Sequence, residues 1–303
     1  MRSKASSRHT LRPVRVALTL FLIPVLADIA AALPMYLYGV EGDDDTMVRV
    51  DLNSPTPAAE LLGTVVYNGA PVLEMEALTW DRDLGRLIVV SNAGAGPVFR
   101  INPADITAPP PADIPAAYVG DTQTIQLEGI ALQPVENMYY GADNTTHPGL
   151  LVKIDRFNGT VTQVIGELEE ADGTDYDNME ALAFTFDTPH VLYGANNPGE
   201  GLSQLVTINT LTGEVTRVGP GIGFVNVECL AFAPNGTLYG FSNGNAASDW
   251  FIVIDPITGI GTELSVVDAD QYDIEGCALI EPNTNVSVQS STWSGVKRLY
   301  ATP

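Results

Sequence analysis

Cations are scarce in this sequence. Fourteen Lys and Arg stand against 37 Asp and Glu over 303 residues, a formal net charge of −23. Five of the cations fall within the first fifteen residues. A protein that grips nucleic-acid phosphates needs a basic face, so nucleic acid is excluded as a partner. Histidine is almost as rare: beyond residue 32 only His147 and His190 occur, each beside a proline in a turn-like segment. There is no Gly-x-Ser-x-Gly elbow, no His-Glu-x-x-His helix and no phosphate-cradling glycine loop. Both histidines therefore read as turn residues, and His147, in the loop Asn144-Thr145-Thr146-His147-Pro148, is the better placed of the two to reach a ligand. No segment sustains an apolar stripe of period 3.6, which excludes a helical architecture. No catalytic residue is nominated.

The N-terminus carries the one apolar run of note. Arg2, Lys4, Arg8, Arg12 and Arg15 precede Val16 to Ala27, and Ala30-Ala31-Ala32 supplies small residues after it. A basic region, a short apolar stretch and a small-residue cleavage point, in that order, make a secretory signal peptide over residues 1–32. A transmembrane helix over Val16 to Val40 is the rival, interrupted by Pro24, Asp28 and Pro34; twelve apolar residues are too few to span a bilayer. Without residues 1–32 the remaining 271 carry nine cations against 36 anions, a net −27. The expected location is secreted or extracytoplasmic, in the periplasm or at the cell surface, with no membrane insertion after cleavage.

What is abundant is repetition. Five segments share a pattern around a glutamate: Glu74-Met75-Glu76-Ala77-Leu78, Gln126-Leu127-Glu128-Gly129-Ile130, Asn178-Met179-Glu180-Ala181-Leu182, Asn226-Val227-Glu228-Cys229-Leu230 and Asp273-Ile274-Glu275-Gly276-Cys277. Successive glutamates are 52, 52, 48 and 47 residues apart. Alternation of period two marks a strand entering a packed sheet. A Tyr-Gly strand follows at Tyr140, Tyr193 and Tyr239, with Leu87 to Val90 in its place in the first unit. A third strand then ends in an Asn or Asp turn at Asn102, Asp155, Asn209 and Asp255, and Asn158-Gly159, Thr212-Gly213 and Thr258-Gly259 turn the chain into a fourth.

Four short strands per unit of this length predict an all-β fold, a β-propeller over residues 33–282. The last unit has only an inner strand, Glu275 to Ile280, while Leu37 to Gly39, Met47 to Asp51 and Glu60 to Val66 lack one. Pairing them closes the ring with strands from both termini and gives five blades; six follow if Leu299-Tyr300 adds a strand. Pro103 to Ala117, with three consecutive prolines at 109–111, reads as a stiff surface insertion instead of a strand.

Runs such as Leu205-Val-Thr-Ile-Asn-Thr-Leu-Thr-Gly213 and Glu228-Cys-Leu-Ala-Phe-Ala-Pro-Asn-Gly-Thr-Leu-Tyr-Gly240 resemble the repeats of secreted bacterial propellers related to the NHL, YWTD and SMP-30/gluconolactonase-like families, over about residues 36–282. The resemblance implies the propeller architecture and a group that mixes enzymes, sensors, adhesins and binding scaffolds. In the SMP-30-like enzymes the glutamate of an inner-strand Glu-Gly motif ligates a divalent metal. Glu128-Gly129 and Glu275-Gly276 match those two letters, and the other metal-site and catalytic positions of that family find no match here.

Glu76, Glu128, Glu180, Glu228 and Glu275 are the candidate site. Five ionised carboxylates converging at about 7 Å would repel by roughly 2 kcal/mol per neighbouring pair at an effective dielectric near 20. Two arrangements relieve this: each glutamate turns toward the adjacent blade and accepts backbone N–H bonds, or several hold a divalent cation. All-oxygen ligands would select Ca2+ as that cofactor. Recurrence in every unit favours the first role. The clusters Asp43-Asp44-Asp45, Asp172 with Asp175 and Asp177, and Asp268 with Asp270 read as solvated loops, with peripheral calcium sites as the alternative. Cys229 and Cys277 sit one and two residues after their glutamates, on opposite strand faces. A disulfide or two separate buried thiols both remain open. The polar tail 283–303, ending in Trp293-Ser-Gly-Val-Lys-Arg-Leu-Tyr300, is a sorting tag or a packed final element.

Function divides into two classes. The first is an exported binding or scaffold propeller, acting as a monomer on a carbohydrate, peptide or envelope partner. The second is a divalent-metal-dependent hydrolase, lactonase- or esterase-like, with its metal at the glutamates.

Overall fold

The repeat unit folds as a four-stranded antiparallel sheet, and the described residues form five such units. The computed structural model describes residues 35–42, 45–106, 112–123, 125–199, 201–244, 249–267 and 273–280. The leader, the tail with Leu299-Tyr300, Pro109 to Pro111, and the acidic residues Asp43, Asp44, Asp268 and Asp270 lie outside them. Among the described residues no helix is long and apolar enough to cross a membrane.

Strands β1 (Tyr36–Glu41), β2 (Thr46–Asp51) and β3 (Ala59–Tyr67), with the short β4 (Ala70–Pro71), begin the chain. The second blade is β5 (Met75–Asp81), β6 (Arg86–Ser91), β7 (Pro97–Ile101) and β8 (Ile114–Asp121). The third is β9 (Leu127–Gln133), β10 (Met138–Asp143), β11 (Leu150–Asp155) and β12 (Val161–Glu167). The fourth is β13 (Met179–Phe184), β14 (Leu192–Asn196), β15 (Gln204–Ile208) and β16 (Val215–Val218). The fifth is β17 (Val227–Phe232), β18 (Leu238–Ser242), β19 (Asp249–Ile254) and β20 (Gly261–Val267). Strand β21 (Ile274–Ile280) then pairs antiparallel with β1, so the closing blade takes its inner strand from one end of the described chain and three strands from the other. The inner strands β5, β9, β13, β17 and β21 touch in a closed cycle.

The core lies between blades. One apolar cluster occupies each of the five seams: Met47 and Val65 meet Met75 and Leu87; Ile88 and Val98 meet Tyr139 and Val152; Tyr140 and Leu151 meet Met179 and Val206; Ala195 and Leu205 meet Leu238 and Ile252; Phe241 and Phe251 meet Leu37 and Val48. Successive strand residues face opposite seams, which is why both faces of each sheet are apolar.

The recurring Tyr-Gly has a steric cause. A Cβ at Gly39 or Gly141 would press on Ile274 or Leu127, the residue before the glutamate on the paired inner strand. The Asx turns form as read: Asp155 Oδ1 accepts from the Phe157 N–H at 2.8 Å and Asp255 Oδ1 from the Ile257 N–H at 2.8 Å. Glycines in or just after the outer strands recur too. A Cβ on Gly120, Gly166 or Gly219 would collide with the carbonyl of Asn158, Thr212 or Thr258 in the next blade's turn.

One expectation is corrected. Ile114 to Ala117 are not insertion but the start of β8, paired with β7 through Ile101↔Ala116 and Arg100↔Ala117. Pro115 is tolerated because it precedes the ladder with β7, which begins at Ala116, so its missing N–H leaves that ladder intact. Along this stretch β8 also pairs in parallel with β3, at Val65↔Ile114 and Val66↔Pro115, joining two blades at their rims. Only Pro103–Asp105 form a 3-10 turn, capped by the Asn102 side chain.

Cys229 and Cys277 form a disulfide, with Cα atoms 5.3 Å apart. The residue after each glutamate faces the next blade's inner strand: a Cβ at Gly276 would meet Ala77 and Leu78, and one at Gly129 would meet Ala181 and Leu182. Cys229 makes that same approach to Cys277 across the closing seam. The bond closes a loop of 48 residues, for which chain entropy predicts a stabilisation of about 4 kcal/mol. Replacing both cysteines by serine, or reducing the protein, is expected to lower the melting temperature by roughly 10 °C. A melting curve indifferent to reductant would contradict the bond.

Candidate functional site

Each of the five glutamates occupies a β-bulge. In β5, Met75 pairs with Ser91 and Ala77 with Val90, leaving Glu76 as the extra residue. The same slip isolates Glu128 in β9, Glu180 in β13, Glu228 in β17 and Glu275 in β21. A bulge re-aims the side chain it carries, and here it turns all five carboxylates inward toward the axis. Glu76 and Glu128 share a hydrogen bond. Glu128, Glu180 and Glu228 line a space of about 10 Å³, room for roughly one water.

The backbone N–H groups at the seams go to another residue type, which sequence reasoning missed. Asn92, Asn144, Asn197 and Asn243 each follow the second strand of a blade. Their Oδ1 atoms accept from the N–H of Leu127 at 3.0 Å, Met179 at 3.2 Å, Val227 at 3.1 Å and Ile274 at 3.3 Å. Each of these donors is the residue just before the next blade's glutamate. Asn92 Nδ2 also donates to Glu128 at 3.2 Å, and Asn243 Nδ2 donates to Glu228 and, at 2.6 Å, to Asp273. At the seam after the closing blade Gly42 holds this position, and Asp45 accepts from the Glu74 N–H at 2.9 Å instead. The signal was present in the sequence, since these asparagines recur with the period of the glutamates.

Burial and mutual repulsion push every ring carboxyl above the ordinary glutamate range. Glu76 rises to about 7 through burial and then the charges of Glu128 and Glu74. Glu180 rises to about 8 through burial and then Glu128 and Glu76. Burial also raises Glu128, against the hydrogen bonds from Glu76 and Asn92. Glu228 and Glu275 go up for the same first reason, reinforced by their neighbours, Asp273 included. The symmetry breaks at this last pair. Among the described residues, the one set of three acidic side chains whose ligand atoms all fall within 4.8 Å of one another is Glu228, Asp273 and Glu275.

The period of two continues along each inner strand beyond the glutamate. Leu78, Ile130, Leu182, Leu230 and Cys277 form the next layer, and Trp80, Leu132, Phe184, Phe232 and Leu279 the one after. This last layer surrounds a cavity of about 80 Å³ at the opposite end of the axis, with Arg82 and Phe186 at its rim. The axis therefore has an acidic end and an apolar end.

Elsewhere, the exposed His147, 69% of whose side chain is accessible, lies between two loop carboxylates, with Nδ1 2.6 Å from Asp177 and Nε2 3.6 Å from Asp175. Asp172 bonds its own turn through the N–H and hydroxyl of Thr174. His190 Nδ1 contacts the Thr185 carbonyl at 2.8 Å, as a turn residue does. A buried pair went unread: Asp81 is gripped by Arg156 and receives the Tyr139 hydroxyl at 2.6 Å. Burial alone would raise the Asp81 carboxyl, but the hydrogen bonds from Arg156, Tyr139 and the Leu84 N–H hold it low.

A family model described as a repeat of unknown function, DUF6923, matches residues 112–302. No curated protein matches the sequence. Among solved structures, the fold is similar to a chain of a nidogen/laminin complex, with a TM-score of 0.52 and 11% identity over 81% of this chain and 98% of that one. It is also similar to a structural-genomics protein of unknown function from Bacteroides thetaiotaomicron, with a TM-score of 0.50 and 14% identity over 82% of this chain. TolB from Acinetobacter baumannii gives 0.48 and 12% over 79%. The chain spans 61% of the Bacteroides protein and 54% of TolB. At such identities the likeness speaks to fold alone, and that fold is a β-propeller repeat protein.

A carboxyl raised in the folded state keeps its proton where the unfolded chain has lost it. Its stabilisation is full below the unfolded value near 4.5 and is lost as pH climbs through the folded value. In chelator, stability is therefore expected to fall between about pH 4.5 and 8, by up to ~1.4 kcal/mol per pH unit for each titrating group. Glu180→Gln should remove one such contribution. Denaturant melts at pH 5, 6, 7 and 8 check this, and stability rising with pH over that range would refute it.

Proposed function

The chain belongs to the DUF6923 repeat family, and from that premise we propose that it is an exported binding or scaffold propeller, monomeric, whose axial glutamates hold a divalent cation. The observation that carries the reading is the gathering of five bulge-borne carboxylates at one end of the axis, three of which, Glu128, Glu180 and Glu228, line one water-sized space. A buried cluster of this kind is relieved either by protons or by a cation, and its all-oxygen donors suit Ca2+. Glu228, Asp273 and Glu275 are the residues closest to a ligand set, with Glu76, Glu128 and Glu180 completing the ring. The disulfide supports placement outside the cytoplasm, because such bonds persist in oxidising compartments. The partner is taken to be a carbohydrate, peptide or envelope component engaged by the loop-lined faces.

Calcium is expected to give a measurable binding heat at pH 8, to release protons, and to raise the melting temperature by several degrees over chelator. Glu228→Gln with Glu275→Gln should weaken binding at least tenfold. Identical melts with calcium and chelator, with no heat of binding, would overturn the cation site.

The broken symmetry at Asp273 favours a second reading. An active site differs from its repeats, and a metal held by Glu228, Asp273 and Glu275 could present a water to a lactone or ester. Turnover of a lactone and ester panel that requires added Ca2+, Mn2+ or Zn2+ and is lost in Glu275→Gln would establish the hydrolase. No turnover with metal bound would leave the scaffold.

A further inference from the structure

The apolar end of the axis is a built cavity with a cation at its edge. All five inner strands contribute to its wall: Trp80 from β5, Leu132 from β9, Phe184 from β13, Phe232 from β17 and Leu279 from β21. Its floor is Leu182, Leu230 and Cys277, the layer that separates it from the glutamates. A volume of about 80 Å³ is several times the ~10–15 Å³ that admits one water on the same measure, so the cavity holds several waters, which a short branched hydrocarbon group would displace. Water in such a site has few polar partners, so an apolar group gains by replacing it.

Arg82 supplies the polar handle. Its guanidinium lies 5.2 Å from the Phe186 ring centroid, and among the described residues no carboxylate forms an ion pair with it; Arg86 and Arg100 also lack one but donate to the Gly85 and Arg156 carbonyls, whereas Arg49, Lys153, Arg156 and Arg217 are paired. In a chain of net charge −23 a cation without a carboxylate partner at the rim of this axial cavity marks the place where an anion is attracted. Ligand sites have this form: an apolar wall with one or two convergent polar groups that set orientation.

We propose that the apolar mouth of the propeller binds a small branched aliphatic carboxylate, its hydrocarbon tail inside the collar of Trp80, Phe184 and Phe232 and its carboxylate on Arg82. This site is separate from the cation site at the glutamates and stands whether or not that one binds metal. The charge of the whole protein makes the proposal discriminating. The global field favours a cationic ligand, so a preference for the anion can come only from a local group.

The probes are 3-methylbutanoate, its neutral analogue 3-methylbutanamide and the cationic 3-methylbutylamine, titrated against the full chain in chelator and followed by the indole N–H resonance of Trp80. A ligand of this size is expected to bind with a Kd on the order of millimolar. The carboxylate should bind about tenfold more tightly than the amide and tighter still than the amine. Arg82→Gln should abolish that preference without moving the melting temperature, and Arg82→Lys should restore part of it. The proposal is overturned if the amine binds as well as the carboxylate, if Arg82→Gln changes affinity less than twofold, or if the Trp80 resonance stays still up to 20-fold above ~1 mM.

Discussion

A four-stranded sheet with two apolar faces cannot bury either of them alone, and everything else in this protein follows from how five such sheets solve the problem for one another. Each supplies half of two seams, so the hydrophobic core is divided into five clusters between blades. The rotation from blade to blade brings the inner strands into near-contact, and small residues are required there: Gly129, Gly276, Ala77 and Ala181. The same rotation brings each outer strand against the next blade's turn, which demands Gly120, Gly166 and Gly219. A ring built this way has one blade assembled from separate stretches of chain: the pairing of β1 with β21 completes it, and the disulfide ties its inner strand to that of the fifth blade.

Convergence has a chemical consequence at the axis. The bulge at each glutamate interrupts the ladder and turns a charged side chain into a space with little water. Burial then opposes ionisation, each neighbour adds to that opposition, and the carboxyl groups keep their protons to unusually high pH. The layer of Leu78, Ile130, Leu182 and Leu230 keeps this acidic end apart from the aromatic collar. Two ends of opposite character therefore sit on one axis, produced by the same inner strand read two residues at a time.

How much of this could be read from the residues depended on range. The glutamate pattern, the Tyr-Gly strands and the Asx turns are signals within a few residues, and each marks the element expected of it. The asparagines at 92, 144, 197 and 243 repeat as plainly, but their role spans a seam: each accepts from a residue 30 to 35 positions away. The Asp81 and Arg156 pair is separated by 75 residues and does not recur, so no period announces it. Pro115 misled because a proline argues against a central strand, whereas it stands at the start of β8, ahead of the ladder with β7.

Composition and periodicity by themselves determined the all-β class, the five units, the closure of the ring by strands from both ends, and the presence of one carboxylate per blade at the start of an inner strand. These are properties of local pattern and of counting. Only the tertiary structure decided that Cys229 and Cys277 face one another, that the glutamates point at the axis while asparagines take the backbone N–H groups, and that Trp80, Phe184 and Phe232 meet around a cavity beside Arg82. The reason is common to all three. A strand has two faces and a sequence alternates between them, but which face looks at which neighbour is set by the hand of the blade rotation and by a one-residue bulge, and both exist only once the ring has closed.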